Sequence, residues 1–370
     1  MVIGIPKEIK QQENRVSGVP AAVMGFTNAG HTVYVEKNAG LGSGFTDEEY
    51  VIAGAKILDS PERVFSSADM ILKVKEPLES EYGLLREGQI LFSYLHLAPD
   101  PKLTKALQKA NVVGIAYETI QTADGRLPLL APMSEIAGRL SIQVGAYLLQ
   151  KANNGRGILL GGVPGVEPGH VVIIGGGVVG INAAKMAVGL GARVTILNSS
   201  VKRLAYIDDL FANRVVTLVS NPYNIAESVA RADLVVGAVL IPGAKTPKLV
   251  TEKMVMNMRP GSAIVDVSID QGGAFETMDR TTYHDDPCFI KHGVVHYSVA
   301  NMPSAVSRTS TAALSNAVAP YALQLANYGA EAALVKNAAL MKGLNIYKGK
   351  ITCQAVAEAQ GVLYEPAGLN

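Results

Sequence analysis

The stretch His170–Leu197 reads HVVIIGGGVVGINAAKMAVGLGARVTIL. Gly175, Gly177 and Gly180 stand in G-x-G-x-x-G register, directly after an apolar strand pattern and directly before a helix pattern. In such a motif the first glycine makes a tight turn, the second lets the backbone approach a pyrophosphate, and the third lets the helix pack closely on the strand. The helix N-terminus adds free N–H groups and a partial positive charge. In this context the motif predicts a dinucleotide-binding βαβ unit rather than a turn that merely joins strand to helix.

The end of the second predicted strand of this unit bears on the choice of dinucleotide. An NAD-binding domain usually presents Asp or Glu there to the ribose hydroxyls, whereas this chain has Asn198. An amide can still hydrogen-bond a ribose hydroxyl, but it carries no negative charge to repel a 2′-phosphate. Lys202 and Arg203 are near enough in the sequence to attract one. The sequence therefore favours NAD and leaves NADP use open.

Short β-branched runs alternate with longer helix-like stretches along the whole chain, and this alternation is typical of βαβ units. In the second half the predicted strands are His170–Ile174, Arg193–Leu197, Val215–Val219, Leu234–Gly237, Ala263–Val267 and Val294–Tyr297. In the first half they are Val2–Ile5, Thr32–Glu36, Met70–Val74, Ile90–Tyr94 and Val112–Ala116. The sequence therefore predicts an α/β protein with two doubly wound, Rossmann-like parallel-sheet domains separated by a cleft.

The helix patterns indicate how the chain divides. A pattern over Met133–Asn153, with Ser134 as its N-cap, predicts a helix that connects the two domains. After Arg308, two Ala-rich helix patterns broken near Gly329 are expected to pack back on the first domain. We therefore predict a discontinuous substrate-binding and catalytic domain, formed by residues 1–130 and 307–370, and a dinucleotide-binding domain formed by residues 131–306.

The composition, net charge and cysteine content of the chain limit the classes of partner that it is expected to bind. Its 370 residues are 48% hydrophobic and 18% charged, with a formal net charge of +1, so neither a disordered chain nor an electrostatic nucleic-acid binder is indicated. Cys288 and Cys353 lie far apart, which argues against a disulfide framework or a structural zinc site. Glycines and polar residues interrupt the apolar window Val171–Ala192, and the N-terminus lacks the apolar core of a signal peptide. We expect a cytoplasmic protein with small-molecule partners, and without nucleic acid, membrane or bound metal.

Polar residues at the carboxyl ends of predicted strands are candidates for substrate chemistry, because ligands of open α/β sheets bind there. Arg15 follows the first strand, and a guanidinium suits bidentate capture of a carboxylate. Lys75 ends the third strand, although the sequence alone does not separate it from Lys73. His96 ends the fourth strand, and an imidazole can give and take protons near neutral pH. Asp270 follows a strand of the second domain and supplies a carboxylate.

These candidates also have ordinary structural interpretations. Arg15 is also consistent with a solvated loop residue, and His96 with a core histidine whose hydrogen bonds are satisfied. Asp270 is also consistent with the cap of a helix or turn. Their joint placement at the strand ends of two facing sheets favours the functional interpretation over each structural one.

Several longer strings carry a resemblance to one family. The segments KEIKQQENRV (7–16), LKVKEP (72–77), YLHLAPD (94–100), IVDVSIDQGG (264–273) and VANMPSAVSRTST (299–311) look like alanine dehydrogenase, and the similarity runs nearly from end to end. The resemblance implies NAD-linked oxidative deamination of L-alanine to pyruvate and ammonia, and the reverse reaction. It also implies a homohexamer whose substrate domain is discontinuous.

The resemblance further implies roles for individual residues. Arg15 and Lys75 would hold the substrate, while His96 and Asp270 would act as catalytic acid/base groups. Besides the three motif glycines, cofactor contacts are implied for Ser134, Val178, Val179, Asn198, Arg203, Ser220, Val239, Leu240, Ile269, Asp270, Asn301 and Met302. Asn198 is itself a departure, because the family usually has aspartate at this position.

Two other interpretations stay open. A related two-domain enzyme, such as a transhydrogenase subunit or a saccharopine-type dehydrogenase, shares the expected architecture. A transhydrogenase passes hydride between nucleotides and needs no substrate site at Arg15 and His96, so an assay with alanine separates the two. A nucleotide-sensing module that has kept the glycine turn but lost catalysis would show no alanine-dependent reduction of the cofactor.

Overall fold

The computed structural model describes residues 1–239 and 246–369. The chain forms two compact units, the first made of Met1–Met133 with Val306–Asn370 and the second of Ser134–Ala305. The first unit is thus built from both ends of the chain. Substrate binding by residues 1–130 with 307–370 remains a prediction, and so does dinucleotide binding by residues 131–306. The cleft between the two domains also remains a prediction.

Helices and strands alternate along each segment of the chain. Up to Met133 and across the division between the units, the chain forms β1 (Val2–Ile5), α1 (Pro20–Asn28), β2 (Thr32–Glu36), α2 (Asp47–Ile52), β3 (Lys56–Leu58), α3 (Pro61–Ser67), β4 (Met70–Leu72), β5 (Ile90–Ser93), α4 (Pro101–Lys109), β6 (Val113–Ala116) and α5 (Ala131–Leu148). The second unit continues with β7 (His170–Ile174), α6 (Val178–Gly189), β8 (Arg193–Asn198), α7 (Val201–Phe211), β9 (Val216–Val219), α8 (Pro222–Arg231), β10 (Leu234–Gly237), α9 (Glu252–Met256), β11 (Ala263–Asp266), β12 (Cys288–Lys291) and β13 (Val294–Tyr297). The C-terminal segment contains α10 (Ser307–Tyr328), α11 (Ala330–Lys336), α12 (Ala338–Lys342), β14 (Leu344–Tyr347), β15 (Lys350–Ile351) and α13 (Gln354–Gln360).

The two units contain parallel sheets with the same strand order. The first sheet runs β15-β14-β6-β5-β4-β1-β2-β3 and the second runs β12-β13-β11-β10-β7-β8-β9. Among the described strands the antiparallel pairs are β12 with β13, β14 with β6 and β14 with β15, so β12, β14 and β15 are the strands that run against the others. Without these three, each sheet has the order 3-2-1-4-5-6 counted along the chain, which is the doubly wound Rossmann order. The predicted fold class is therefore confirmed.

Strand β7 shows how the second sheet is buried. Val171 and Ile173 pack into one apolar cluster, whereas Val172 and Ile174 pack into another. Alternate side chains of a strand point to opposite faces, so apolar side chains cover both faces of this sheet. Burying each such aliphatic side chain contributes about 1.5–3 kcal/mol to folding. Two-sided burial also explains why parallel strands read as continuous apolar runs.

The sequence patterns do not predict the strands β3, β12, β14 and β15. Two of the three antiparallel strands end in two-residue hairpin turns, one at His292 and Gly293 with φ of 53° and 73°, the other at Lys348 and Gly349 with φ of 48° and 71°. Positive φ at both central positions is the pattern of a type I′ turn, which favours Asn-Gly or Asp-Gly. The pairs His-Gly and Lys-Gly are weaker signals for the same turn, so the hairpins were missed.

Two details of the predicted helices are wrong. Helix α5 begins at Ala131, so Ser134 lies inside the helix and is not its N-cap. Pro132 occupies the first turn, where its missing N–H is not needed for a helical hydrogen bond. The second Ala-rich helix is interrupted at Asn337, whose side-chain oxygen accepts N–H bonds of 3.0 and 3.2 Å from the first turn of α12.

Across residues 1–239 and 246–369, the structure contains no helix that combines the length and the apolar character needed to span a bilayer.

Candidate active site

Three adjacent strands of the first sheet are followed by loops that carry predicted substrate residues. Arg15 lies after β1, Lys75 after β4 and His96 after β5. Since β5, β4 and β1 are consecutive parallel neighbours, their carboxyl ends and these loops meet at one edge of the sheet. Burial and then the positive charge of Arg15 lower the pKa of the Lys75 ammonium. The structure thus brings together the predicted residues of the first unit.

A neighbouring carboxylate holds Arg15 in place. The side chains of Arg15 and Glu13 are each 1% exposed. Nε and Nη2 of Arg15 donate to the two carboxylate oxygens of Glu13 at 2.7 and 2.6 Å, and Nη1 lies 3.1 Å from Sδ of Met133. Burial lowers the pKa of the guanidinium, but the bonds to Glu13 outweigh this and raise it. Arg15 is therefore not a solvated loop residue, and its charged fork is oriented in advance of any ligand.

The two lysines at the end of β4 have different surroundings. Lys73 is fully buried, with Nζ 2.8 Å from Glu81 and 3.4 Å from Glu8. Glu8 also accepts the backbone N–H groups of Val74 and Lys75 at 2.6 and 3.3 Å. Lys73 is thus part of a buried ionic network that fixes the loop, whereas Lys75 keeps part of its side chain exposed. The geometry favours Lys75 as the ammonium that meets a ligand.

His96 has an unusual backbone conformation. Its φ of 47° lies in the left-handed region, which is uncommon for a residue other than glycine. The carboxylate of Glu118 accepts the backbone N–H of Leu95 at 3.2 Å and that of His96 at 2.6 Å. The imidazole is 45% exposed, and its Nδ1 lies 3.4 Å from Oε2 of Glu76. His96 is therefore not a core histidine, and strained conformations of this kind cluster at functional sites.

A cavity of about 240 Å³ borders Arg15. Its lining consists of Lys7, Glu8, Glu13, Asn14, Arg15, Asn38, Ala39, Leu41 and Gly42. Neither Lys75 nor His96 lines it. The cavity therefore shares only Arg15 with the predicted substrate residues, and the strand-end cluster defines the candidate site better than the cavity does.

The three motif glycines of the second unit form the turn between β7 and α6. Gly175 has a φ of 110°, and a Cβ there would lie 2.4 Å from the carbonyl oxygen of Ala238. A Cβ at Gly180 would lie 1.9 Å from the carbonyl oxygen of Gly175, whereas a Cβ at Gly177 would meet no protein atom within 4 Å. Gly175 and Gly180 are thus required by the fold itself. Gly177 instead leaves open space at the N-terminus of α6, which fits the approach of a pyrophosphate.

Asn198 and Arg203 flank this turn. Oδ1 of Asn198, the last residue of β8, accepts the N–H of Gly176 at 3.1 Å. Nε of Arg203 donates to the carbonyl of Gly176 at 2.6 Å, and its guanidinium carbon lies 4.9 Å from the centre of the Tyr206 ring. An uncharged amide and a cation thus stand where a Rossmann unit binds the ribose of the adenosine. The residues present fit a dinucleotide.

Most other predicted cofactor residues follow strands of the second sheet. Val178 and Val179 begin α6, Ser220 follows β9, Val239 follows β10, Ile269 and Asp270 lie in a short turn after β11, and Asn301 and Met302 follow β13. The strands β7 to β11 and β13 are parallel, so these loops share one edge of the sheet. Ser134 lies instead in α5. Leu240 lies outside the described residues.

The loop after β11 is anchored by Asp266. Its carboxylate is buried and accepts the N–H of Ser268 at 3.0 Å and that of Ala274 at 2.8 Å, while burial raises its pKa to about 6. Further along this loop, the carboxylate of Asp270 lies 3.3 Å from the N–H of Asn301, which donates to it. Asp270 therefore ties the loop after β11 to the loop after β13, as a capping residue does.

Sequence reasoning missed the acidic residues that support the candidate site. Glu13 stands two residues before Arg15, so its nearness was visible although the pairing was not. Glu118 and Glu76 are far from His96 in the sequence, and only the folding of the sheet brings them to it. The apolar pattern places Asp266 inside the predicted strand Ala263–Val267. These carboxylates are buried or half-buried beside strand ends, but a sequence alone does not distinguish a buried carboxylate from one on the surface.

Two Rossmann-like units, one with a glycine turn for a dinucleotide and the other with Arg15, Lys75 and His96 at adjacent strand ends, define the class of nicotinamide-dependent oxidoreductases. The model of the alanine dehydrogenase/PNT N-terminal domain matches residues 4–137, and that of the alanine dehydrogenase/PNT C-terminal domain matches residues 141–354. The chain belongs to the alanine dehydrogenase/PNT family.

Relatives and solved structures agree with this assignment. The chain is 64% identical to an alanine dehydrogenase of Methanococcus maripaludis, covering 99% of this chain and 98% of that one. It is 60% identical to an alanine dehydrogenase of Geobacillus stearothermophilus, covering 98% of each. A solved L-alanine dehydrogenase superposes with a TM-score of 0.94 at 52% identity, over 98% of this chain and 99% of that one. The transhydrogenase of Sinorhizobium meliloti has a TM-score of 0.82 over 95% of this chain and 100% of that one, but only 23% identity, so it shows a shared fold alone.

Proposed function

We propose that this protein is an L-alanine dehydrogenase, which interconverts L-alanine with pyruvate and ammonia by hydride transfer involving a nicotinamide dinucleotide. The observation that carries the proposal is 60–64% identity, over 98% or more of the chain, to proteins of that name. The placement of Arg15, Lys75 and His96 at one sheet edge supports it, since a 2-amino acid offers a carboxylate to cations and protons to a base.

In this proposal Arg15 and Lys75 bind the substrate carboxylate and carbonyl oxygen. The fork of Arg15 is already oriented by Glu13, so little side-chain entropy is lost when a carboxylate binds. The lowered pKa of Lys75 reflects burial next to another cation, and an anionic substrate relieves that repulsion. Fixing the substrate in one orientation contributes several kcal/mol on the scale of effective molarities.

In this proposal Asp270 stabilises positive charge and His96 transfers protons. Once the amino group of alanine has given up one proton, loss of hydride from Cα leaves an iminium cation, whose charge a carboxylate such as Asp270 stabilises. Water then adds to this carbon, and His96 moves protons as the carbinolamine collapses to pyruvate and ammonia. Acid/base catalysis of this kind typically contributes about 10²- to 10⁴-fold to the rate.

The dinucleotide, when bound, supplies the hydride acceptor at C4 of its nicotinamide ring. We propose that Gly175, Gly177 and Gly180 with the N-terminus of α6 hold its pyrophosphate, and that Asn198 and Arg203 bind the adenosine ribose. The other residues that follow the strands of the second sheet line its path.

We propose NAD as the cofactor and leave acceptance of NADP as an outcome for measurement. The amide of Asn198 can hydrogen-bond a ribose hydroxyl, which NAD requires, but lacks the charge that excludes a 2′-phosphate. Binding constants of the purified protein for both dinucleotides test this. A preference for NAD supports the proposal, and tighter binding of NADP overturns it.

We propose a cytoplasmic homohexamer. Cytoplasmic location rests on the reducing-compartment pattern of two separated cysteines, and the hexamer rests on resemblance to the family. Light scattering of the purified protein tests the second part, because a monomer or dimer at micromolar concentration contradicts it.

A panel of small amino acids tests the function. With NAD and the wild-type protein, we expect L-alanine to give the fastest formation of reduced nicotinamide among alanine, glycine, serine and 2-aminobutyrate. A transhydrogenase, whose fold is similar, transfers hydride between nucleotides instead. Absence of alanine-dependent reduction, together with transfer between nucleotides, would favour that alternative.

A further inference from the structure

Two carboxylates on different segments surround His96. Glu118 holds the backbone, because it accepts the N–H groups of Leu95 and His96 at 3.2 and 2.6 Å. This contact stabilises a φ of 47°, a backbone conformation that is unfavourable for a residue other than glycine. The backbone of His96 is therefore held by one acidic residue before the imidazole meets any ligand.

The other carboxylate faces the ring. Oε2 of Glu76 lies 3.4 Å from Nδ1 of His96, which is longer than a full hydrogen bond. This oxygen is buried, and within residues 1–239 and 246–369 it has no hydrogen-bond partner of good geometry. Nδ1 and Oε2 therefore face each other at a distance that a closer approach would turn into a hydrogen bond. Hydrogen bonds of catalytic groups are often long before substrate binds.

Glu76 carries a negative charge at neutral pH. Burial opposes ionisation, but His96 and Lys10 outweigh it and hold the pKa of the Glu76 carboxyl well below its usual range. Lys10 forms an ion pair with the other oxygen, Oε1. Lys75 also contributes positive charge. Glu76 is therefore an ionised carboxylate that faces the ring, and Lys10 and Lys75 balance its charge.

We infer that Glu76 is a positioning residue for His96. An ionised carboxylate accepts hydrogen bonds and donates none, so a neutral imidazole beside it keeps its proton on Nδ1. Nε2, on the other side of the ring, is then the atom with a free lone pair that takes a proton. The inference rests on the proposed acid/base role of His96, and it adds the group that selects the tautomer.

A purely structural role of Glu76 predicts a different experimental result. If Glu76 served only as the partner of Lys10, its loss would change stability without changing the tautomer of His96. Glu79 offers a matched control, since it is a glutamate three residues away whose side chain is 72% exposed and pairs with Lys102. Glu79→Gln makes the same chemical change away from His96.

The test combines nitrogen NMR of histidine with steady-state kinetics. In wild-type protein with ¹⁵N-labelled histidine at alkaline pH, we expect His96 to show Nδ1–H and an unprotonated Nε2. His96→Ala assigns the signals. In Glu76→Gln we expect a mixture of tautomers and a kcat reduced about tenfold or more, with KM for pyruvate within threefold, as for other partners that orient a functional histidine. Glu79→Gln should match the wild type in both measurements.

The wild-type spectrum can overturn the inference by itself, so the test survives poor folding of Glu76→Gln. An Nε2–H tautomer of His96 in the wild type overturns the inference, and so does a Glu76→Gln protein with wild-type tautomer and kcat. If instead His96→Ala keeps its turnover, the proposed role of His96 fails, while the spectrum still decides whether Glu76 sets the tautomer.

Discussion

Single residues of the candidate site depend on acidic neighbours for their charge and direction. Arg15 is buried with Glu13, and Glu118 holds the backbone of His96. Lys73, two residues before Lys75, is buried with Glu8 and Glu81. Buried cations without such partners are costly, because desolvation penalises the charged form. The buried cations Arg15 and Lys73 are therefore stabilised by the carboxylates with which they pair.

Arg15→Lys tests the carboxylate clamp while keeping a cation beside Glu13. A lysine cannot reproduce the planar fork, so we expect KM for pyruvate to rise about 10- to 100-fold with kcat within a few-fold. Arg63→Lys is the control, because Arg63 is 62% exposed in a surface pair with Asp59. Equal KM values in both variants would remove Arg15 from the substrate site.

His96→Ala and Asp270→Ala test the proton and charge roles. We expect kcat for alanine oxidation to fall about 10²-fold or more in each variant, with dinucleotide binding retained in His96→Ala. Circular dichroism checks that both variants are folded. Turnover within a few-fold of wild type in either variant would show that the residue concerned has no such role.

At the scale of elements, the glycine turn separates what the fold needs from what a ligand needs. Gly175 and Gly180 avoid contacts of 2.4 and 1.9 Å with backbone oxygens, but Gly177 faces open space. A methyl group at Gly177 therefore disturbs no protein contact, while it occupies the place where a pyrophosphate would approach the backbone.

Gly177→Ala separates binding from folding. We expect the dissociation constant for NAD to rise at least about tenfold, because the second motif glycine permits close approach of the pyrophosphate, with a melting temperature near that of wild type. Gly189→Ala, at the last residue of α6, is the control, since a Cβ there also meets no atom within 4 Å. Calorimetric titration measures both. Unchanged NAD affinity in Gly177→Ala would place the pyrophosphate elsewhere.

The elements also show what the sequence predicts and what it does not. The central parallel strands were predicted because apolar runs such as those of β5 and β7 are local signals. The antiparallel β12 and β14 were missed because their pairing depends on hairpin turns with weak His-Gly and Lys-Gly signals. Arg15, Lys75 and His96 were found from their positions at strand ends. Glu76 and Glu118 were not, because their contacts with His96 exist only after the sheet has formed.

At the scale of the whole molecule, burial of ionisable groups makes stability depend on pH. His296 in β13 is fully buried, with Nδ1 donating to the carbonyl of Val294 and Nε2 accepting from the hydroxyl of Thr277, each at 2.9 Å. Burial lowers its pKa to about 4. Between this value and about 6.5 the unfolded chain binds more protons at this residue than the folded one does. The contribution of His296 to stability therefore falls as the pH falls through this range.

We expect the protonation difference at His296 to lower the free energy of unfolding by about 3 kcal/mol when the pH falls from 6.5 to 4. Asp266, with a pKa raised to about 6, acts in the opposite direction, so the difference between wild type and His296→Gln isolates the histidine. Urea unfolding at several pH values measures that difference. A difference independent of pH would contradict the burial of a neutral ring.

The most direct test of the whole account follows the hydride itself. L-Alanine deuterated at Cα is incubated with the protein and NAD, and the reduced dinucleotide is analysed by mass spectrometry and NMR. We predict deuterium at C4 of the reduced nicotinamide, in amounts equal to the pyruvate formed. Reduction without deuterium, or no reduction in the presence of alanine, would contradict it.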